Sequence, residues 1–324
     1  MGRDFSRARS WCHLGKAGEL RSRGAEEQAK FVDLSQRIGI KTARINGPRL
    51  FTLLPMLSDY ATCLETVRAQ HPLVHNITNY VVMNLTANAL LAVGASPVMA
   101  HAIAEVEEMV GLAQALVINI GTLSDDWIVA MQKAVTRASK QGIPYMLDPV
   151  GAGATQLRTR TAQQLLAIAP PAVIRGNASE ICAVAQATVK TRGVDSILAV
   201  EAALEAARTL AQQFGTTVVI SGPVDHIISA EQWVEVQNGD RVMAQVTGMG
   251  CTATALMGAF VGAGGRGVAS PLVAAVATMA TMGVAGELAR QEAKGPGTFV
   301  PHFIDALAHL TPADLEAQAR ILSH

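Results

Sequence analysis

Four apolar runs of this chain each stop at a turn of glycine or polar residues, and this repeated pattern constrains the possible folds most. The four segments are residues 148–154, 174–180, 218–225 and 248–251. Apolar runs that alternate with helical patterns are typical of βα units, whose right-handed crossovers cover both faces of a parallel sheet. We therefore predict an α/β domain with a mainly parallel central sheet.

The fourth of these turns, residues 248–251, is the most informative for function. It follows an apolar run at 242–246 that we predict to be extended, and it opens a helix of small residues near 252–262. Glycines allow a tight turn and leave backbone amides accessible at the helix N-terminus, which favours a bound anion. In that field the thiolate of Cys251 is expected to be stabilised. The simpler alternative is a glycine turn for packing, with a buried cysteine.

The other three turns favour a shared site more strongly than the fourth turn does alone. Ligands of open α/β sheets bind outside the carboxyl ends of the strands. Four such turns in one chain therefore predict a single cleft along that edge of the sheet.

Composition excludes several classes of protein. The 324-residue chain has a formal net charge of zero, so its bulk electrostatics give no reason to expect a nucleic-acid partner. Its four cysteines form no CxxC pair, which indicates a reduced, cytoplasmic chain without a disulfide framework or a zinc site. Apolar runs are interrupted before ~18 residues, so we expect no helix that spans a membrane.

The first 54 residues differ from the rest. They are rich in arginine and lysine and show poor apolar periodicity, so we predict a basic, disordered N-terminal extension, and a globular domain from 55 to 324. An alternative is translation from an upstream start, with Met56 as the functional beginning. A transit peptide is also an alternative, but the acidic residues of the segment argue against it. Within the domain, periodicity predicts helices at 59–69, 81–93, 105–114, 125–141, 161–168, 196–214, 252–262, 271–290, 301–310 and 312–321. It predicts strands at 72–77, 98–100, 115–120, 145–147, 172–175, 217–221, 226–228, 233–237 and 242–246, with 238–239 as a turn signal.

From about residue 72 to residue 310, the chain resembles the hydroxyethylthiazole kinases, ribokinase-like enzymes of thiamine salvage. The resemblance is specific because many segments carry it together. They are PLVHNITN at 72–79, TAN at 86–88, GASPVMA at 94–100, NIGTL at 119–123, DPVGAGA at 148–154, RGNASE at 175–180, GMGC at 248–251 and GPG at 295–297.

The resemblance implies a ribokinase-like three-layer sandwich without a lid domain. It implies phosphorylation of the hydroxyl group of 4-methyl-5-(2-hydroxyethyl)thiazole by ATP with Mg²⁺, in a homotrimer whose active sites lie between subunits. The alternative within the fold is a kinase for another small heterocyclic or sugar alcohol. A cysteine hydrolase is another alternative, but it would need a His and an Asn or Asp as partners of Cys251, and the sequence shows no such pattern. A nucleotide-binding protein without turnover is disfavoured by the intact motifs.

The resemblance also implies roles for residues at the transfer centre. Gly248, Gly250 and the amide of Cys251 would form an anion hole for the transferring phosphate. Cys251 is the candidate catalytic residue, since many ribokinase-like enzymes carry an aspartate there. Glu180 would order Mg²⁺ through water, and Asp148 is the second metal candidate. The structural alternatives are a capping box for Glu180 and an Asp-Pro turn for Asp148.

The remaining candidates bind the two substrates. Arg175, Asn177 and Ser221 are expected to contact ATP, because guanidinium and hydroxyl groups suit phosphate oxygens. A surface ion pair for Arg175 and a local turn for Ser221 are the alternatives. On the acceptor side the candidates are Met99, Asn79 and the backbone of Gly248. Judged without the resemblance, Met99 is a core residue, and His75 a structural hydrogen-bonding group rather than a base.

Overall fold

One mixed sheet runs through the part of the chain that this computed structural model describes, residues 53–188, 199–264 and 270–324. Its strands are β1 Leu73–Ile77, β2 Ser96–Val98, β3 Ala115–Asn119, β4 Tyr145–Asp148, β5 Val173–Gly176, β6 Thr217–Ile220, β7 Asp225–Ile228, β8 Trp233–Val236 and β9 Ile321–Ser323. Their order in the sheet is β2-β1-β3-β4-β5-β6-β7-β8-β9. All pairs from β2 to β6 are parallel, and those from β6 to β9 are antiparallel. The predicted mainly parallel sheet is confirmed.

Helices cover the sheet. They are α1 Leu53–Gln70, α2 Met83–Val93, α3 Val106–Leu112, α4 Asp125–Gln141, α5 Gln156–Ile168, α6 Ala178–Thr188, α7 Ala199–Phe214, α8 Met249–Ala263, α9 Pro271–Glu292, α10 Pro296–His309 and α11 Pro312–Gln318. A 3-10 helix, Arg241–Gln245, precedes α8. The predicted N-terminal extension lies outside the described residues, apart from residues 53 and 54, which begin α1.

Two hydrophobic clusters lie on opposite faces of the sheet. In β3, Val117 belongs to the cluster that contains Leu256 of α8, whereas Leu116 and Ile118 belong to the cluster that contains Met131 of α4. All five residues of β3 are buried. A strand that is apolar on both faces is typical of a parallel sheet between helical layers. The arrangement is the predicted three-layer sandwich.

Helix boundaries follow local capping signals. Gly94 ends α2 in the left-handed region, at φ 99°, as a glycine after the last periodic residue predicts. The side chain of Ser124 accepts a hydrogen bond from the amide of Trp127, so α4 begins at Asp125 as expected. Thr155 caps α5 in the same way, and this cap moves the helix start to Gln156, five residues before the predicted one.

The predictions for the C-terminal half are confirmed only in part. The strand predicted at 242–246 is not formed, and residues 241–245 form the 3-10 helix, because the side chain of Asp240 accepts a hydrogen bond from the amide of Val242 and caps a helical turn. The strands predicted at 226–228 and 233–237 are confirmed as the antiparallel pair β7–β8, with the Ser229 amide donating to the Gln232 carbonyl at the turn between them. The last helix ends at Gln318, and the chain then pairs with β8 as β9.

One helix within the described residues, α9, is long and apolar enough to cross a membrane, contrary to the expectation that no such run exists. Its most apolar 18-residue window has a mean hydropathy of 1.6, because glycine and threonine interrupt the run without lowering its hydropathy much. That window is 83% buried inside the structure. Burial to this extent is typical of a helix in the core of a folded domain.

Candidate active site

The carboxyl ends of neighbouring strands bring three of the predicted turns together. β4 ends at Asp148, β5 at Gly176 and β6 at Ile220, and these strands are adjacent and parallel. β3 ends beside β4, with Asn119 in register with Asp148. The predicted cleft edge is therefore formed by β3 to β6.

The fourth turn reaches this edge on α8 rather than at the end of a strand. α8 packs on β1, β3 and β4, and glycines allow a close approach. A Cβ atom on Gly258 would lie 2.7 Å from Val117 Cγ2 and 2.8 Å from Val74 Cγ1. Such close contact is possible only for glycine, and it sets the first turn of α8 over the ends of β3 and β4.

The N-terminus of α8 has the geometry of an anion site. Gly248 is the N-cap residue at φ 88°, a conformation that favours glycine. The first intrahelical hydrogen bond runs from the Thr252 amide to the Gly248 carbonyl, at 2.8 Å. The amides of Met249, Gly250 and Cys251 precede it and have no acceptor within the helix. Their open donors and the helix dipole favour a bound anion.

Asp148 is fully buried at the centre of this edge. Its Oδ2 atom accepts hydrogen bonds from Asn119 Nδ2 and Thr254 Oγ1, both at 2.8 Å. Its Oδ1 atom has no hydrogen-bond partner among the described residues. Burial raises the pKa of Asp148 to about 6, although Arg175 and these hydrogen bonds oppose the rise.

Arg175, which lies in one of the four turns, contacts each of the other three. Its Nη1 atom lies 4.0 Å from Asp148 Oδ2, and the guanidinium donates a hydrogen bond to Ser221 Oγ. It also lies against α8, since a Cβ atom on Gly250 would be 2.5 Å from Arg175 Nη1. The side chain is 13% exposed, so the alternative of a surface ion pair is wrong.

Asn177 and Glu180 form a capping box at the start of α6. The Asn177 side chain accepts a hydrogen bond from the Glu180 amide at 3.0 Å, and Glu180 Oε2 accepts one from the Asn177 amide at 2.8 Å. Glu180 Oε1 accepts a third bond from the Gly151 amide, at 2.8 Å. Glu180 therefore ties the turn after β4 to the turn after β5, and the structural alternative for this pair is present.

The expected stabilisation of the Cys251 thiolate is wrong. Burial and the nearby Asp148 raise the pKa of Cys251 to about 11, while the neighbouring Asn119 side chain, a hydrogen bond from Asn79 and the charge of Arg175 only partly offset the rise. The free energy needed to bury a thiolate exceeds the electrostatic stabilisation that the first turn of the helix provides. The thiol is therefore protonated near neutral pH.

Asn79 and Asn119 complete the cluster, while Met99 lies apart from it. Asn79 Nδ2 donates to Asn119 Oδ1 at 2.9 Å and to Cys251 Sγ at 3.5 Å. Sequence reasoning overlooked Asn119, although a polar residue at the end of an apolar strand is the same signal that singled out Asp148. Met99 is half-buried and follows β2 at the end of the sheet, with β1 between it and β3.

A cavity of about 770 Å³ lies beside the cluster. Asn177 and Ser221 line it, and it extends past the start of β7 to His226 and Glu235. Ser221 follows β6, His226 lies in β7 and Glu235 lies in β8, and neighbouring strands stand about 4.8 Å apart. The cavity therefore extends across β6, β7 and β8, away from Arg175 in β5. Its length and position suit an extended ligand whose charged end lies at the cluster.

Comparison with known proteins gives one consistent family. The model of the hydroxyethylthiazole kinase family matches residues 64–313. A hydroxyethylthiazole kinase of Syntrophus aciditrophicus is 54% identical over 261 residues, which cover 80% of this chain and 95% of that protein. One of Nitratidesulfovibrio vulgaris is 52% identical over 258 residues, covering 80% and 95%.

Solved structures show the same likeness. The hydroxyethylthiazole kinase protein from Pyrococcus horikoshii OT3 matches with a TM-score of 0.75 and 43% identity, over 82% of this chain and 98% of that one. A pyridoxal kinase from Staphylococcus aureus matches with a TM-score of 0.56 and 14% identity, over 78% and 98%. At that identity the second likeness concerns the fold alone.

Proposed function

The chain belongs to the hydroxyethylthiazole kinase family, and we propose how its described residues carry out the family's reaction. It is a kinase that phosphorylates the hydroxyl group of 4-methyl-5-(2-hydroxyethyl)thiazole with ATP, in thiamine salvage. One observation carries the assignment of residues. The open amides at the start of α8 lie beside a partly buried arginine and a fully buried aspartate at the carboxyl edge of the sheet.

In this proposal, the transferring phosphoryl group binds at the first turn of α8. Phosphoryl transfer needs positioning and charge neutralisation more than covalent help. The amides of Gly250 and Cys251 donate to the phosphoryl oxygens, and Gly248 provides the turn that exposes them. Arg175, already fixed by Ser221 and close to Gly250, supplies the positive charge. Fixed donors of this kind stabilise charge without reorganising during the reaction.

The acidic residues fit Mg²⁺. Asp148 Oδ1 has no partner among the described residues, and Glu180, although it accepts two amide bonds, retains lone pairs for a water ligand. Mg²⁺ takes few protein carboxylates and keeps several waters, which agrees with a site where Asp148 and Glu180 are the carboxylates available to the ion. When bound, the ion would neutralise charge on the phosphates of ATP. Asp148 and Glu180 would orient it and its waters.

Cys251 is proposed to contribute through its amide and through the position of its thiol. Because the pKa of Cys251 is raised to about 11, the thiol does not start as a base near neutral pH. The same property argues against a cysteine hydrolase, which needs a thiolate nucleophile. A loose transition state for phosphoryl transfer places little demand on a base, so a protonated thiol is compatible with turnover.

The two substrates are assigned to opposite parts of the edge. ATP extends from Arg175 past Asn177 and Ser221 into the cavity beside β6 and β7. The thiazole alcohol lies on the other side of α8, towards Asn79 and Met99, with the Gly248 backbone between them. The hydroxyl group then meets the phosphate at the first turn of α8.

We further propose a cytoplasmic homotrimer with active sites between subunits. Large apolar side chains are exposed next to the acceptor side, with Tyr80 65% and Val81 63% exposed. Exposed apolar surface beside a substrate site favours cover by another subunit. The described cysteines Cys63, Cys182 and Cys251 are free thiols, in keeping with a reducing compartment.

A coupled assay of ADP release tests the activity. The thiazole alcohol with ATP and Mg²⁺ is expected to give ADP and one equivalent of the phosphate ester, detected by mass spectrometry. Pyridoxal and small sugar alcohols serve as competing acceptors, and the thiazole is expected to have the highest kcat/KM. No ester with the thiazole, or a higher kcat/KM for another acceptor, would overturn the proposed substrate.

A further inference from the structure

The side chain of Asn119 joins two parts of the active site that come from distant parts of the chain. Asn119 lies at the end of β3 and is 1% exposed. Its Nδ2 atom donates to Asp148 Oδ2 at 2.8 Å. Its Oδ1 atom accepts from Asn79 Nδ2 at 2.9 Å and from the Gly121 amide at 3.0 Å. Asn79 in turn donates to Cys251 Sγ at 3.5 Å.

These hydrogen bonds have only one consistent direction. The Gly121 amide can only donate, so it requires the oxygen of Asn119 on its side and leaves the NH₂ group for Asp148. Asn79 Oδ1 accepts from the Val81 amide at 3.1 Å, so its NH₂ group must face Asn119 and Cys251. Neither amide can turn over without losing a hydrogen bond in a buried site, where an unpaired polar group is costly.

Packing holds the same side chains in place. A Cβ atom on Gly121 would lie 2.7 Å from Asn79 Nδ2, so only glycine at this position leaves room for the Asn79 side chain beside Asn119. On the other side, Thr254 of α8 donates to the Asp148 oxygen that Asn119 also holds. Asp148 Oδ2 thus accepts one hydrogen bond from the sheet and one from α8. Its Oδ1 atom remains available for another ligand.

We propose that Asn119 is a positioning residue for phosphoryl transfer, which fixes Asp148 directly and the Cys251 thiol through Asn79. The inference rests on the proposed function, because it takes the first turn of α8 as the transfer centre. Asn119 itself contacts neither substrate in this assignment. It acts by keeping groups on β4 and α8 in one mutual geometry, and small misplacements of such groups reduce rates strongly.

Replacement of Asn119 by leucine, with a matched variant on the neighbouring strand, tests the proposal. Asn119→Leu keeps the size and removes every hydrogen bond of the side chain. The control is Asn76→Leu, because Asn76 is also 1% exposed and its side chain bonds only to the Val74 carbonyl of its own strand among the described residues. We expect kcat to fall about 10²-fold in Asn119→Leu with KM for ATP within about 3-fold, and kcat of Asn76→Leu to stay within about 3-fold.

Alkylation of Cys251 reports on the geometry without relying on turnover. Iodoacetamide labelling, resolved by peptide mass spectrometry, is expected to be several-fold slower at Cys251 in Asn119→Leu, because the amide contacts that favour the thiolate are lost, and unchanged in Asn76→Leu. Asn79→Leu is expected to have the same effect as Asn119→Leu, and the double variant no more than either one, because both changes act on one chain of contacts. Additive effects, or an unchanged labelling rate in Asn119→Leu, would contradict the proposal.

The proposed function and the positioning role of Asn119 can be refuted separately. Wild-type protein without ADP release from the thiazole alcohol refutes the proposed function, whatever the variants do. Wild-type activity together with an Asn119→Leu variant that keeps its kcat refutes the positioning role alone. If the leucine variant does not fold, Asn119→Ser keeps a small polar side chain that is too short to bridge Asp148 and Asn79. The same losses are expected of it, and full activity would overturn the inference.

Discussion

At the scale of single residues, burial outweighs the field of the helix at Cys251. The N-terminus of α8 favours negative charge, yet burial and Asp148 raise the pKa of the thiol to about 11. The helix field is worth roughly 1 kcal/mol near a surface, whereas a shift of one pKa unit already corresponds to about 1.4 kcal/mol. The same amides that fail to ionise the thiol remain available to a phosphoryl group.

Substitutions at Cys251 separate a chemical role from a packing role. We expect Cys251→Asp to be active, because a carboxylate beside Asp148 has a raised pKa and serves as a base, and Cys251→Ser to lose less than about 10³-fold in kcat. The amides of α8 and Arg175 persist in both variants and account for the residual rate. Measured kcat values beside melting temperatures test this, and an inactive aspartate variant with a normal melting temperature would exclude a base at this position.

The protonation of the thiol is measurable in the wild-type protein. Because only the thiolate reacts with iodoacetamide, a pKa of about 11 predicts that labelling of Cys251 rises about tenfold per pH unit from pH 7 to 9. A pKa below neutrality would instead give a rate that is already constant over this range. Such a plateau contradicts the raised pKa.

Glu180 is expected to matter for turnover beyond its part in the capping box. Glu180→Gln should lower kcat by about 10²-fold or more while ATP still binds, since an amide orders metal-bound water poorly. Glu287→Gln is a matched control, because Glu287 also accepts a backbone amide, that of Gly239, away from the cluster. The control should lose stability and keep its kcat. A Glu180→Gln variant with wild-type turnover at limiting Mg²⁺ would disprove the assignment.

At the scale of elements, α8 determines whether the site exists. Its glycines let it lie directly on β1 and β3, and its first turn then reaches Arg175 and Asp148. The small residues of α8 thus serve both packing and function. The 3-10 helix before α8, capped by Asp240, directs the chain to Gly248.

Gly258→Ala tests this dependence. The added Cβ atom would lie 2.7 Å from Val117 Cγ2, so α8 must move away from the sheet, and overpacking of this kind costs about 1–3 kcal/mol. We expect a lower melting temperature and a reduced kcat. Gly297→Ala in α10 is the control, since a Cβ atom there would meet no described atom within 4 Å. Adding Val117→Ala and Val74→Ala to Gly258→Ala removes both close methyl contacts and is expected to restore part of the activity, and an unperturbed Gly258→Ala variant would argue against the role of α8 packing.

At the scale of the whole molecule, large apolar side chains are exposed near the proposed binding site of the thiazole alcohol. Tyr80 packs against Trp127 with ring centroids 4.8 Å apart, and Trp127 packs in turn against His101 at 4.6 Å. This aromatic group borders the segment that carries Met99, and Leu91 of α2 is also 60% exposed. These features support an interface near the acceptor site.

Light scattering tests the oligomeric state. We expect three times the mass of one chain at micromolar protein, because a closed ring of three covers the exposed apolar side chains of every subunit. Tyr80→Glu is expected to weaken the trimer and to raise KM for the thiazole alcohol more than KM for ATP. A monomer mass for the wild-type protein at this concentration would refute the trimer.

Deletion of residues 1–52 is expected to leave folding and activity largely intact. The deletion stops where α1 begins, and the family match begins later, at residue 64. Segments of poor apolar periodicity contribute little to a core. Melting temperature and kcat of the truncated protein check this, and insolubility or a much lower melting temperature would show that the segment packs on the domain.

The sequence by itself determined the α/β class, the parallel sheet and the edge at which the site lies. These features follow from short-range patterns, because apolar runs specify strands and the polar residues after them mark the carboxyl ends. The turns that carry Asp148, Asn177 and Glu180 were found in this way, and the family resemblance singled out these residues within them. Gly94 likewise marked the end of α2 through its local capping chemistry.

Only the tertiary structure decided how the parts of the site act on one another. Asn79 and Cys251 are 172 residues apart in the chain and in hydrogen-bond contact in space. The pKa of Cys251 depends on burial that no local pattern encodes, and so does the role of Asn119 between Asn79 and Asp148. The strand expected before Gly248 became a 3-10 helix because a neighbouring side chain capped it. Local propensity selects the elements, whereas long-range packing sets the dielectric surroundings and the partners of each buried polar group.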